Sequence, residues 1–167
     1  MKNEPTKNVA IQLVAVLDSV HLSGIVTLFR EYAASLNVSQ CFQDFETELA
    51  ALPGEYAQPR GALLFATVSG VLAGCCALRP LDRVDYANAG EMKRLYVRPQ
   101  FRGLGLGRML AEEILNQGRR CGFTWVLLDT LDDMEAARAL YGELGFEDIP
   151  PYYYNPIAGA HYLKVAL

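Results

Sequence analysis

Two histidines and one tryptophan are all that this 167-residue chain holds of those side chains, and it has four cysteines. None of Cys41, Cys75, Cys76 and Cys121 is spaced as C-x-x-C, and only His21 and His161 could complete a ligand set, so spacing assembles no metal site. Neighbours such as Cys75 and Cys76 point to opposite faces of a strand, and all four read as reduced, mostly buried thiols of a cytoplasmic protein. No stretch approaches the ~18 apolar residues of a membrane span. The apolar run Val9–Leu17 follows Lys2 and Lys7, yet Glu4 and Pro5 precede it and Gln12 interrupts it; with no small-x-small cleavage site it reads as a strand rather than a signal peptide. Excess positive charge is missing too. The formal net charge of −4 argues against bulk attraction to nucleic acid or an anionic membrane. Half the residues (51%) are hydrophobic, which with this length describes one globular domain over 1–167, without repeats, linkers or low-complexity segments.

What is present concentrates in EMKRLYVRPQFRGLGLGRMLAEEIL, Glu91–Leu115. Glu91–Val97 reads as a strand, because Leu95, Tyr96 and Val97 are β-formers and Pro99 cannot donate to a ladder. Gly103, Gly105 and Gly107 then free the backbone to turn, and Leu106, Leu110 and Ile114 mark the buried stripe of a helix. A helix whose first amides are reached through bare glycines is an anion site, and Arg102 and Arg108 add positive charge beside it. The expected anion is a phosphate or pyrophosphate. A P-loop is excluded because Arg108-Met109 follows Gly107, where Lys and Ser or Thr are required. A dinucleotide fingerprint has Asp129 at a suitable distance but needs glycine where Arg108 stands.

The rest of the chain supplies a mixed sheet and its covering helices. Val9–Val16 is a strand, capped at Asp18-Ser19, and Leu22, Ile25, Phe29, Tyr32 and Leu36 repeat as a helix. Phe42, Phe45, Leu49 and Leu52 make a second helix that Pro53-Gly54 stops. Ala62–Val68 and Val71–Leu78 are strands joined by the hairpin turn Ser69-Gly70, and Leu81–Gly90 is a loop. Thr124–Thr130 is apolar enough to be a central strand. Met134–Leu144 is a helix ended by Gly145, and short strands are expected over Phe146–Ile149 and Tyr162–Leu167. The order β-α-α-β-β-β-α-β-α-β-β describes an α/β (α+β) protein, a three-layer α-β-α sandwich around a mixed, largely antiparallel sheet.

The motif Arg102-x-x-Gly105-x-Gly107 resembles the phosphate loop Q/R-x-x-G-x-G/A of the GNAT superfamily, the acyl-CoA N-acyltransferases. Leu140-Tyr141-x-x-x-Gly145-Phe146 is similar to a second motif of that family, and the element order is the GNAT fold's, so the resemblance spans nearly the whole chain. It implies an acetyl-CoA-dependent N-acetyltransferase without a metal. The loop Arg102-Gly103-Leu104-Gly105-Leu106-Gly107-Arg108 would hold the cofactor pyrophosphate, and Leu95, Tyr96 and Val97 would run beside the pantetheine arm. A bulge in that strand, splaying it from Thr124–Thr130, is expected from the family.

Glu91 occupies the place where several family members keep a catalytic glutamate, and desolvation in an apolar strand would raise its pKa as suits a base. A salt bridge to Lys93 or Arg94, or solvation at the strand end, is the competing reading. Tyr141 matches the family's proton donor to the departing thiolate, against core packing as its alternative. Where the family commonly has Asn, this chain has Met134, and a carboxylate at Asp132 or Asp133 cannot replace the amide's donors. Tyr152, Tyr153, Tyr154 and His161 are expected near an acceptor pocket, His161 as a second candidate base. The expected acceptor is a small-molecule amine, and the expected assembly a monomer or homodimer. Acetylation of a protein amine, a non-catalytic acyl-CoA-binding regulator and a dinucleotide oxidoreductase stand as rivals.

Overall fold

The computed structural model describes residues 9–36 and 42–167, leaving Cys41 and the segment ahead of Val9 outside, along with the Phe42 side chain. Alternating apolar residues build strand β1 over Ile11–Ala15, and Asp18 caps the short turn after it by accepting from the Val20 amide at 3.1 Å. Helices α1 (Leu22–Ser35) and α2 (Phe42–Ala51) follow, then strands β2 (Ala62–Val68) and β3 (Val71–Leu81). The β2–β3 turn has Ser69 at φ 49° and Gly70 at φ 79°, the two positive dihedrals of a type I′ hairpin. Strand β4 (Ala89–Val97), helix α3 (Leu106–Arg120), strand β5 (Trp125–Leu131), helix α4 (Glu135–Glu143) and strands β6 (Glu147–Ile149) and β7 (Ala160–Ala166) complete the chain.

The seven strands lie in the order β1-β2-β3-β4-β5-β7-β6. Only β4 and β5 pair in parallel among them, with α3 as the crossover between the two. Two cores result. On one face Leu106, Leu110 and Ile114 of α3 pack on Leu64, Leu78, Val126 and Leu128; on the other Ile25, Leu28 and Phe29 of α1 and Phe45 of α2 pack on Leu63, Phe65 and Ala77. Cys76 joins the first core and Cys75 the second, as strand alternation requires. No helix among the described residues is long and apolar enough to cross a membrane.

Two departures from the sequence reading bear on function. Strand β3 runs past Leu78 to Leu81 and β4 begins at Ala89, because Arg79 and Glu91 pair directly across the ladder and hold the ends together. The expected bulge is present in β4. Cys75 faces Tyr96 and Ala77 faces Lys93, so Arg94 and Leu95 together oppose Cys76, and Arg94 takes the left-handed φ of 61°. The β4–β5 ladder is correspondingly short, covering Ala89, Gly90 and Glu91 against Trp125, Val126 and Leu127.

Candidate active site

The glycine loop ends β4 as its residues dictate. Pro99 opens a short 3-10 turn, Pro99–Phe101, and the Arg102 Nε–H donates to the Val97 carbonyl at 3.2 Å. Gly103 and Gly105 adopt φ of 81° and 79°, and a Cβ at either position would meet nothing within 4 Å. Gly105 is the residue ahead of α3, and no side chain caps that helix end. The Met109 amide is bonded to the Gly105 carbonyl, so the amides of Leu106, Gly107 and Arg108 lie ahead of the helical ladder. Open space in front of unpaired donors and a dipole end suits a phosphate group. Arg108 contributes less charge than its position suggests, since its guanidinium is paired with Glu143 of α4 and lies 3.5 Å from Glu112.

Past Glu91 the two parallel strands separate. Among the described residues no strand pairs with the β5-facing edge of β4 from Met92 to Val97. A cleft of about 770 Å³ opens there, within the range of small-ligand sites. Its walls are the end of α1 (Tyr32), α2 (Glu48), the middle of β4 (Met92 to Leu95), the end of β5 (Asp129 to Leu131), Met134 and Tyr141, and the loop from Tyr153 to Ile157. Leu95 therefore lines the cleft while Val97 touches the glycine loop, and β4 connects the two regions. Tyr96 points the other way, buried in the α1 core with its ring 6.0 Å from Tyr32.

Glu91 is 1% exposed and does not line the cleft. One carboxylate oxygen accepts from Arg79 Nε at 2.8 Å, with Arg79 Nη2 at 2.7 Å and Lys93 Nζ at 3.7 Å; the other accepts from the Tyr152 hydroxyl at 2.7 Å. Burial alone would raise its pKa, but the charges of Lys93 and Arg79 and the hydrogen bonds from Tyr152 and Arg79 outweigh burial, and the net direction is downward. The raised pKa expected from an apolar strand is thus corrected. Of its two expected partners only Lys93 is close, because Arg94 donates instead to Glu48 at 2.8 Å.

Tyr141 is 6% exposed, packs against Phe146 at 5.6 Å between ring centroids and still lines the cleft. Burial first, then the charges of Cys76, Tyr32 and Asp129, push its hydroxyl well above the usual phenol range, so it stays protonated at neutral pH. Met134 lines the cleft as well, its sulfur 3.7 Å from the Thr130 hydroxyl that donates to it. His161 lies outside the cleft and is bonded to Asp132, which removes that carboxylate from the neighbourhood of Met134. Of the three tyrosines, Tyr153 lines the cleft, Tyr152 holds Glu91 from behind, and Tyr154 is 88% exposed.

Sequence reasoning missed Arg79 and Asp129. Arg79 bridges Glu91 and Glu55 at 2.7 and 2.8 Å. Asp129 lines the cleft and accepts from the Tyr153 hydroxyl at 2.6 Å. Its position in the apolar run Thr124–Thr130 was the available signal, because a carboxylate inside a central strand needs a reason to be there.

A parallel pair that parts midway, beside an uncapped helix end, defines an acyl-CoA-dependent acyltransferase when the relatives are set beside it. The GNAT acetyltransferase family model matches residues 25–146, and the chain belongs to that family. It is 36% identical over 158 residues to an uncharacterised N-acetyltransferase of Schizosaccharomyces pombe, covering 94% of this chain and 95% of that one. It is 33% identical to the IAA acetyltransferase of Azospirillum brasilense, over 76% of this chain and 88% of the relative. Among solved structures, an acetyltransferase of Salmonella typhimurium with its cofactor acetyl-CoA superposes with a TM-score of 0.70 at 20% identity, covering 94% of each chain.

Proposed function

We propose that this protein, a single domain over 1–167, transfers the acetyl group of acetyl-CoA to the primary amine of a small molecule by direct attack in a ternary complex. The observation that carries this reading is the separation of β4 from β5, which leaves an unpaired strand edge between the uncapped end of α3 and a cleft. The residues fit the cofactor. The amides of Leu106, Gly107 and Arg108 would hold its pyrophosphate, and the β4 edge from Met92 to Val97 would pair with its extended arm as an added strand does. Acetyl-CoA supplies an activated thioester carbonyl.

The chain's own groups divide the remaining work. Unpaired β4 amides at the opening stand ready as donors to a carbonyl oxygen. Tyr141, held protonated by burial, serves as proton donor to the departing sulfur. Glu91 acts as a fixed anion that positions Arg79, Lys93 and Tyr152, since a carboxylate with its pKa drawn down by these donors is a weak proton acceptor. The amine then loses its proton through water at the cleft mouth. The cleft is walled by α1, α2 and the 153–157 loop, which suits a compact acceptor better than a polypeptide, and a relative named for acetylation of IAA agrees with this. A cytoplasmic location fits the buried thiols Cys75 and Cys76.

Incubating the protein with acetyl-CoA and a panel of primary amines, with release of the free CoA thiol followed over time, tests the reading. Amine-dependent thiol release with a matching N-acetyl product by mass spectrometry is expected. Thiol release indifferent to every amine would overturn it.

A further inference from the structure

The cleft holds two opposite charges that the fold keeps apart. The β4–β5 ladder stops at Glu91 against Leu127, and two residues further on each strand stand Lys93 and Asp129. Both lie on the face of α1 and α2. Lys93 pairs with Ala77 of that core, whereas Val126 and Leu128, the neighbours of Leu127, belong to the opposite core, so Leu127 and Asp129 alternate to the α1 face. Continued pairing would have set Lys93 and Asp129 level and adjacent. The strands separate there instead, both residues line the cleft, and among the described residues they form no ion pair with each other.

Neither charge is fully matched by its own surroundings. The other cations in the cleft wall have close carboxylates: Arg79 has Glu91 at 2.7 Å and Glu55 at 2.8 Å, and Arg94 has Glu48 at 2.8 Å. Lys93 has only Glu91, at 3.7 Å, through an oxygen that already takes two guanidinium nitrogens of Arg79. Asp129 is half-buried and held by neutral donors alone, the Tyr153 hydroxyl at 2.6 Å and the Asn155 amide at 3.5 Å. Those bonds fix one oxygen of Asp129 and leave the other for a ligand.

A cation and an anion placed level on two parted strands form a slot for a molecule carrying both charges. Resting on the acetyltransferase reading, we propose that the acceptor is an amino acid, a primary amine bearing a carboxylate, with its ammonium on Asp129 and its carboxylate on Lys93. Asp129 then brings the nitrogen to the strand opening, and Lys93 decides which amines are accepted. Tyr153 and Asn155 hold the Asp129 carboxylate in place from the loop side. A plain amine would satisfy Asp129 and leave Lys93 unmatched.

The test compares free α-amino acids with their α-carboxamides and their decarboxylated amines. Each compound is measured for kcat/KM with acetyl-CoA and, independently, by calorimetric binding to the protein in the presence of CoA. The expected preference for the free acid is about ten- to hundredfold in both readouts, the worth of a charge-assisted hydrogen bond. Lys93→Met should collapse that preference, Lys93→Arg should restore most of it, and Asp129→Asn should weaken the binding of all three classes. Should Lys93→Met fail to fold, the wild-type preference alone decides. Equal or better use of the carboxamides and plain amines by the wild type would overturn the inference while leaving the acetyltransferase reading intact. Absence of transfer to any amine would overturn both.

Discussion

Replacing Glu91 with Gln separates a structural anion from a catalytic base. The substitution keeps the shape and removes the charge from a group that is 1% exposed and receives Arg79, Lys93 and Tyr152. Breaking a buried ion pair costs about 3–5 kcal/mol when the remaining charge is left alone. Here Arg79 keeps Glu55 at 2.8 Å, and the Gln carbonyl still accepts one hydrogen bond, so the lower figure of about 2–3 kcal/mol is expected. For a domain of this size that lowers Tm by roughly 4–12 °C. The sign of the pH dependence follows from the direction of the shift. Because the folded pKa of Glu91 is depressed, its contribution is complete above the unfolded carboxylate value of about 4.3 and fades as pH falls through the lower folded value. Thermal melts of both proteins from neutral to strongly acidic pH should show a gap that is constant near neutrality and closes in acid. In parallel, the acidic limb of kcat/KM should survive in the variant, since that limb reports a group that titrates in the free enzyme. A variant as stable as the wild type at pH 7, or one that has lost the acidic limb, would refute the reasoning and return Glu91 to the role of base.

Tyr141→Phe should lower kcat by roughly ten- to ten-thousandfold with acetyl-CoA affinity nearly intact; an undiminished kcat with a lower Tm would make Tyr141 a packing residue. Gly105→Val should abolish measurable acetyl-CoA binding in calorimetry, because φ of 79° strains any β-branched residue and its side chain would fill the open space before the α3 amides. Met134→Asn should tighten acetyl-CoA binding about two- to thirteenfold, the worth of one neutral hydrogen bond, because the Asn oxygen can keep the Thr130 hydroxyl while its amide faces the cleft. Weaker binding together with a lower Tm would show instead that the thioether packs where it stands.

The parts of this architecture written in local chemistry were readable from the chain. Gly103 and Gly105 need positive φ, Leu106, Leu110 and Ile114 need one helix face, and Ser69-Gly70 needs a tight turn; each requirement lies within a few residues. What escaped depends on pairings across the sheet. Arg79 reaches Glu91 only once β3 and β4 are in register, and Tyr152 reaches it from 61 positions away. Without those partners, an apolar strand around Glu91 predicts desolvation and a raised pKa; with them the direction reverses. Asp129 escaped for the same reason. Inside an apolar run it looks like a central-strand residue, and only the separation of β4 from β5 turns it toward a cleft.

Initial rates, measured over a grid of acetyl-CoA and acceptor concentrations, test the central claim most directly. Direct attack within one complex of enzyme, acetyl-CoA and amine predicts double-reciprocal lines that intersect, and no acetyl group on the protein by mass spectrometry when the amine is left out. Parallel lines, with an acetylated protein isolated in the absence of acceptor, would contradict it.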